Sequence, residues 1–413
     1  MPVKIAMLFW SIACCFLALP GLRALTPEEA AAEALERNPE LLSTRWIIAE
    51  AEGRLIQAGL WDNPVFEAGL ESGRSFSDRM YRYGLSQNFP LAGRLAKAKG
   101  VARVDVAMAV EEYRDARRRL AGEVLGMARR LLLLERRAQL VEENRKLLAA
   151  IREKVIPQVA AGTAATSDAV LIELEEAQLT LEEERLAVEK EALQAQLRGK
   201  LGRPDDAPLK ISGNLPATPS HAVLRREGES ALTRRPDRQL ALLSVDRAQA
   251  EQRLARSQRW DGVMVGVEAV QEAEHGYSGV GVRVSIPLPL WDRQRGRLAE
   301  TAAARQRAQA GVAARDLAIR TEIDEAGERI EGGAALVKRS RGAMLELARR
   351  NTHRVAEAYG HGRASFVSIF ESQKQQLALE RLALENEERL VEAVTAWETA
   401  TVSFPPVVRK RLE

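Results

Sequence analysis

The chain states one plan twice. Ala34-Leu35 with Asn38-Pro39 recurs as Ala231-Leu232 with Arg235-Pro236, and Trp61-Asp62 recurs as Trp260-Asp261. Phe89-Pro90-Leu91 likewise recurs as Ile286-Pro287-Leu288. The copies lie about 200 residues apart, far beyond the roughly 20–50-residue periods of solenoid repeats. Each copy reads as a helix broken at proline, a short alternating hairpin and a very long helical pair. One large unit has been duplicated, so the architecture should carry internal pseudo-symmetry.

The period of the apolar residues gives each piece its structure. In Val65–Leu70, Phe66, Ala68 and Leu70 share one face, and Val65, Glu67 and Gly69 the other. From Tyr81 to Phe89, Tyr81, Tyr83, Leu85 and Phe89 oppose Arg82, Gly84, Ser86 and Asn88. The second copy alternates more cleanly. Val263, Val265, Val267 and Ala269 oppose Met264, Gly266 and Glu268, while Val280, Val282, Val284 and Ile286 oppose Gly281, Arg283 and Ser285. Period two between turn-rich connectors predicts strands at 63–72, 79–90, 262–271 and 279–287.

Elsewhere the pattern is helical. Thr26-Pro27-Glu28-Glu29 is a capping box with proline in the first turn, and that helix should stop before Asn38-Pro39. A second helix is expected over about 39–60. The run from Leu91 to Ile156 predicts a helix of about 65 residues, close to 100 Å long, ending near Pro157. A partner helix follows over 166–201, and the second copy gives about 293–359 and 365–402. Ile323, Ile330, Val337 and Met344 step by seven, with Ala326, Gly333, Ser340 and Leu347 three further on. Leu174, Leu181 and Val188 step likewise, as do Leu377, Leu384 and Val391. These steps predict left-handed coiled-coil seams. The fold class is mainly α with a small β part, internally duplicated. Its divisions are a first repeat over 25–202 (hairpin 63–90, helical hairpin 91–201), a linker over 203–219, a second repeat over 220–403 (hairpin 262–287, helical hairpin 293–402) and an irregular tail over 404–413.

Residues 1–24 read as a signal peptide. Lys4 supplies a positive start, Ile5–Leu19 an apolar stretch, and Pro20-Gly21 a break before Leu22-Arg23-Ala24. Both cysteines, Cys14 and Cys15, fall inside it, and Ser11 stands where a lipoprotein site wants an aliphatic residue. The exported chain should then lack disulfides and thiolate chemistry. With 61 Lys and Arg against 58 Asp and Glu, interspersed to a net charge of +3, the chain does not present a nucleic-acid surface.

Four strands with one apolar face need a cover. Either long helices lie on that face, or it meets lipid as part of a membrane β-barrel, apolar outward and polar inward. A barrel needs at least eight strands, so four per chain would require several copies. Trp61, Trp260 and Trp291 flank the strands as interfacial aromatics do. Glu67 with Arg82 and Glu268 with Arg283 fit directly opposed positions on the polar face. There they would fix register and border a wet lumen. The two helical turns match as well: Gly162 and Gly362 should take the left-handed conformation that ends a helix, with Thr166 and Ser365 capping the next helix in each copy. These tips would be available for docking or gating.

Enzyme chemistry is sparse. Among His221, His275, His353 and His361, only His353 and His361 flank a tip, and neither has a spaced His or Cys partner. Asp205-Asp206 lacks a calcium-loop pattern, and no nucleophile–base motif is present. No enzyme activity, cofactor or metal site is expected.

Tyr359-x-x-Gly362-x-x-Ser365 followed by Ile369-Phe370-x-x-Gln373, together with Ser86-Gln87-Asn88-Phe89-Pro90-Leu91-x-Gly93-Arg94, resembles the TolC-like outer-membrane efflux channels. Ile286-Pro287-Leu288-Pro289-Leu290-Trp291-Asp292-Arg293-x-x-Gly296 is most similar to the CzcC-like, heavy-metal-efflux branch. The resemblance spans essentially the whole exported chain. It implies a homotrimer in the outer membrane of a Gram-negative bacterium, with a twelve-stranded β-barrel continuing into a periplasmic α-barrel. The tips, Gly162, Thr163, Tyr359, Gly362 and Ser365, would meet a periplasmic membrane-fusion adaptor and, through it, an RND-type inner-membrane pump. The implied role is passive export of solutes, heavy-metal cations first. The alternatives are a type I secretion duct for polypeptide and a soluble periplasmic coiled-coil scaffold. Val159 at the usual Tyr position and Ala165 at the usual Ser depart from the pattern at the first tip.

Overall fold

Local chemistry sets the first helix where the sequence places it. The computed structural model describes residues 24–72, 79–204, 207–260, 262–272 and 276–412. Helix α1 (Pro27–Arg37) opens with Thr26 Oγ1 accepting from Glu29 N–H at 3.1 Å and Glu29 Oε2 accepting from Thr26 N–H at 3.0 Å. The first copy continues with α2 (Pro39–Gln57), β1 (Val65–Ser72), β2 (Arg79–Phe89), α3 (Arg94–Ala160) and α4 (Thr166–Leu201). The second runs α5 (His221–Arg234), α6 (Pro236–Ser257), β3 (Val263–Glu272), β4 (Ser278–Ser285), α7 (Arg295–Arg339), α8 (Leu345–Gly360) and α9 (Phe366–Thr401). A short α10 (Pro406–Leu412) closes the chain. The expected signal segment, both cysteines, Asp205-Asp206, Asp261, His275 and most of the hairpin connectors lie outside the described residues. No described helix is long and apolar enough to cross a membrane.

Several expectations are corrected. Pro157 does not end α3 but sits in its last turn, and its carbonyl accepts from Ala161 N–H at 2.9 Å. Proline has no N–H, so one i→i−4 bond is missing from the last turns of α3, yet the helix continues to Ala160. The supposed linker is held down: Leu25 N–H donates to Lys210 O, and Ser212 N–H donates to Leu25 O, both at 2.9 Å, with Leu209 and Ile211 buried. The supposed tail is ordered too. Phe404 and Val408 are buried, Arg411 pairs with Glu36, and Arg117 donates to Leu412 O at 3.2 Å.

The long second-copy helix passes through a π segment over Ser340–Met344. The copies explain it. Val124 and Leu131 match Ile323 and Ile330, a step of 199, whereas Val155 and Gly162 match Val355 and Gly362, a step of 200. One residue has been inserted between them, and a π turn absorbs it without breaking the helix. The heptad seam therefore holds through Ser340 and then moves to Leu345, leaving Met344 and Leu347 exposed.

Helix α3 is the spine. It packs on α1, α2 and α4 of its own copy and on α6 and α9 of the other. Helix α7 packs on α6 and α9, and α8 on α9. No comparable packing joins α7 or α8 to α2 or α4 among the described residues. The residue before each proline ties its copy together. Asn38 caps α2, with Oδ1 accepting from Leu41 N–H at 2.8 Å, while its Nδ2 donates to Lys200 O at 2.8 Å. Arg235 takes the same place, donating to Ala400 O at 3.1 Å, to Glu322 at 2.8 Å and to Asp237 at 2.8 and 2.6 Å. Burial works against charge at Asp237, but the Arg235 guanidinium prevails and holds its carboxyl below the ordinary value. Between the copies, buried Arg129 of α3 donates to Thr395 at 2.7 Å and to Glu398 at 2.6 Å on α9. Here burial wins, and the Glu398 carboxyl sits above its ordinary value despite Arg129.

Replacing Arg235 by alanine leaves buried Asp237 with the Arg238 N–H at 3.0 Å and the more distant Arg315 guanidinium at 3.6 Å, and should cost about 3–5 kcal/mol. Asn38→Ala removes a cap and one neutral bond, and should cost about 1–2 kcal/mol. Urea unfolding followed by helical circular dichroism measures both, and a larger loss at Asn38 would contradict this ranking. Glu227 of α5 accepts from Arg234 at 2.7 Å and from Ser403 Oγ at 3.1 Å. The Arg234 bond leads in holding its carboxyl at about 2, below the usual 4.5. Its stabilisation is complete above pH 4.5 and is lost as pH falls toward about 2. Glu227→Gln should flatten the melting temperature across that window.

Candidate functional site

Two surfaces lack a structural purpose within one chain: the sheet and the helical tips. The sheet is a meander in the order β1-β2-β3-β4, antiparallel throughout. Its strands hold 8, 11, 10 and 8 residues, close to the roughly 9–11 that cross a bilayer at a tilt. Register aligns the alternating faces. Phe66, Leu70, Tyr83, Leu85, Val267, Val280, Val282 and Val284 lie on one side and are all exposed. Val280 is 79% and Val282 72% accessible. Helices do not cover this face. The opposite face carries Glu67, Glu71, Arg82, Glu268 and Arg283 among Gly69, Gly84, Gly266 and Gly281.

The expected pairs are not directly opposed. Gly84 stands across from Glu67 and Gly69 across from Arg82; Gly281 stands across from Glu268 and Gly266 across from Arg283. Arg283 reaches Glu268 diagonally at 2.5 Å, but Arg82 turns to Glu71 at 3.5 Å. The reason is geometric. Arg283 lies two residues beyond the partner of Glu268, and Arg82 two beyond Met80, the partner of Glu71. Both ion pairs thus use the same diagonal, as expected in strands of one twist, and Glu67 lies on the other. Glu71 is the residue that sequence reasoning missed, and only its place on the polar face pointed to it.

Trp61, Trp260 and Trp291 fall at one end of the sheet, where β1 and β3 begin and β4 has ended. Trp61 is 58%, Trp260 45% and Trp291 92% accessible. The Trp61 ring meets Phe89 edge-on at 5.5 Å. Asp62 binds the same corner: Asn88 Nδ2 donates to its carboxylate at 2.8 Å and Gln87 Nε2 to its carbonyl at 2.7 Å.

At the far end of the helices the two turns share one geometry. Gly162 (φ 72°) and Gly362 (φ 69°) are left-handed. Thr163 N–H donates to Gln158 O and Gly162 N–H to Val159 O; Arg363 N–H to Ala358 O and Gly362 N–H to Tyr359 O do the same. This is the Schellman closure. Ser365 caps α9 by accepting from Ser368 N–H at 3.2 Å. Thr166 does not cap α4: the capping position is Ala165, with no side-chain bond, and Thr166 is the first helical residue. The tips meet each other through Tyr359 Oη, which donates to Gln158 Oε1 at 3.3 Å. Gln158 carries no sequence signal for this role. His353 faces Glu357 at 3.7 Å, one turn along its own helix, and no cluster of three or more His, Asp and Glu is gathered among the described residues.

No family model matches the chain. It is 21% identical over 353 residues to the cobalt-zinc-cadmium resistance protein CzcC of Cupriavidus metallidurans, covering 85% of this chain and 83% of that one. Among solved structures it resembles a membrane protein from Pseudomonas aeruginosa (TM-score 0.79, 18% identity, 92% of this chain and 91% of that one). It also resembles the outer membrane protein VceC of Vibrio cholerae (0.75, 17%, 91% and 95%) and CusC (0.73, 16%, 91% and 92%). These likenesses extend over nearly the full length of each chain.

Alanine at Gly162 or Gly362 forces a Cβ into the left-handed region and should weaken each tip by about 1 kcal/mol. Faster amide exchange at Thr163 and Arg363, with no change along α3, would register it. Unchanged exchange would mean the turns do not need glycine.

Proposed function

We propose that this chain, which has the fold of the TolC-like outer-membrane channels, is one protomer of a passive exit duct in the outer membrane of a Gram-negative bacterium. The observation that carries the reading is the sheet: one face apolar and uncovered, the other polar, with β1 and β4 left as open edges. Unpaired backbone groups in hydrocarbon cost several kcal/mol each, so strands cross a membrane only in closed barrels. Two copies would close eight strands, whose interior side chains fill. Three copies give twelve strands and a water-filled lumen, and the helices continue it as a periplasmic tube. The uncovered apolar face weighs against the soluble scaffold.

The likeness to CzcC supports divalent metal cations as the cargo. They would be delivered by a proton-driven RND-type pump through a periplasmic adaptor that meets the tips at Gly162, Thr163, Tyr359, Gly362 and Ser365. The duct itself does no chemistry. Glu67, Arg82, Glu268 and Arg283 border the barrel lumen, and Trp61, Trp260 and Trp291 mark the membrane interface on the helix side.

Purified protein should require detergent and should conduct ions in a planar bilayer; full recovery without detergent would overturn the reading. Single cysteines at Val265, Val267, Val282 or Val284 should resist a water-soluble maleimide, whereas those at Gly266 or Arg283 should react. Val282→Arg should cost about 2–4 kcal/mol near the bilayer midplane. Cells lacking the chain should become sensitive to cobalt, zinc or cadmium. Unchanged metal tolerance with loss of a secreted polypeptide would instead favour the secretion duct.

A further inference from the structure

The contact between the two copies within one chain predicts the contact between one chain and the next. Helix α3 has two neighbours from the second copy, α6 and α9. Its counterpart α7 has no comparable packing on α2 and α4, the counterparts of α6 and α9, among the described residues. Side chains that would serve that contact are left bare. Leu42 and Trp46 on α2, Leu317 and Leu336 on α7, and Leu181 and Val188 on α4 are all exposed.

The matching of the copies gives a register. Helices α4 and α9 each hold 36 residues, so Arg198 and Gly199 match Glu398 and Thr399. Before the π segment, α3 and α7 match at the step set by Val124 and Ile323, so Gly122 and Arg129 match Thr321 and Glu328. Within the chain, Arg129 meets Glu398 at 2.6 Å. Transposed, the pair becomes Glu328 with Arg198, the same complementarity with the signs exchanged. Arg198 Nε is buried without a hydrogen-bond partner, and Glu328 has no ion pair among the described residues.

Shape transposes in the same way. Gly122 lies against Thr399 so closely that an added Cβ would stand 3.1 Å from the threonine Cβ. The transposed pair is Thr321 with Gly199, again one threonine and one glycine with the roles exchanged, and Gly199 faces open space. Farther along the seam, Arg137 meets Glu388 inside the chain, and the transposed positions are Leu336 and Val188. The cleft between α3 and α6 is lined by Arg118, Gln239 and Leu243, and transposes to Leu317, Leu42 and Trp46. Arg137, Glu388, Arg118 and Gln239 inside the chain thus give way to exposed apolar residues, and Leu243 gives way to the larger Trp46.

We propose that the surface joining neighbouring protomers is the α3·α6 and α3·α9 seam rebuilt in the same register, α7 against α2 and α4 of the next copy. Glu328 faces Arg198 of the neighbouring copy there, and Thr321 faces its Gly199. The proposal rests on the closed-tube reading and adds the residues that close it. The contact is head-to-tail, and a head-to-tail contact gives a ring when its rotation closes. The internal seam supplies the first half of each step, and the external seam the second.

Glu328→Arg and Arg198→Glu each place like charges across the seam and should lower the trimer fraction in detergent about tenfold, measured by light scattering after size exclusion. The double variant E328R/R198E should restore it. Thr321→Cys with Gly199→Cys should yield disulfide-linked oligomers up to the trimer on oxidation, whereas either alone should not. A stable trimer in which the double reversal gives no rescue and the cysteine pair gives no cross-link overturns this register and leaves the duct intact. A wild-type chain that stays monomeric in detergent and does not conduct removes the duct reading itself.

Discussion

In the proposed duct, a backbone N–H or C=O left unpaired in hydrocarbon is the constraint on which the rest of the structure turns. The four-stranded sheet carries two rows of such groups, along the outer edges of β1 and β4. Soluble proteins blunt their edges with charge, bulges or a covering helix. This sheet instead keeps its strands regular and its outward face apolar. Closure with other copies satisfies both edges at once, and it also dictates the arrangement of the helices. Helices that leave a closed ring of strands at a common end must themselves form a ring, and helices α3 and α7 are long enough to carry it as a tube.

The sheet was legible in the sequence because period two is an unambiguous signal when it is sustained. Every residue assigned to a face in Val263–Ala269 and Val280–Val284 lies on that face, and strand ends shift by only one or two positions. Pairing was less legible. Alternation says which residues share a face, but not which diagonal the twist favours, so Glu67 was matched with Arg82 where Glu71 is the partner. Helical seams were harder still. Helix α4 carries two heptad rows of leucine, and Leu174, Leu181 and Val188 are the exposed one; Ile172, Leu179, Leu186 and Leu193 are buried. Both rows obey the same period, and only the neighbours decide which row one chain can bury by itself.

At the tip and at the C-terminus, tertiary contacts prevail over local sequence rules. Pro157 reads as a stop, yet α3 continues three residues beyond it, to where the Schellman bonds of the tip close the helix. Phe404-Pro405-Pro406 reads as a tail, yet it precedes a helix because Phe404 and Val408 find a buried place beside α1 and α3. The π segment is invisible to composition. It becomes visible only when the copies are compared, since a one-residue insertion in one of two matched helices has to be absorbed somewhere between Ile330 and Val355.

Duplication followed by divergence gives the two seams different chemistry for a physical reason. The seam within the chain forms at the effective concentration of a tether, so it can accommodate buried ions such as Arg129 with Glu398, whose desolvation offsets much of their attraction. The seam between chains has no tether and must overcome the entropy of association. Apolar pairs such as Leu336 with Val188 and Leu317 with Trp46 suit that task, since they gain area-dependent stabilisation with no charge to desolvate. An ion pair kept among them, with its signs exchanged relative to the internal one, contributes orientation. Glu328 cannot face Glu398 in place of Arg198, so the two seams cannot be interchanged, and the ring can grow only by adding whole copies in one direction.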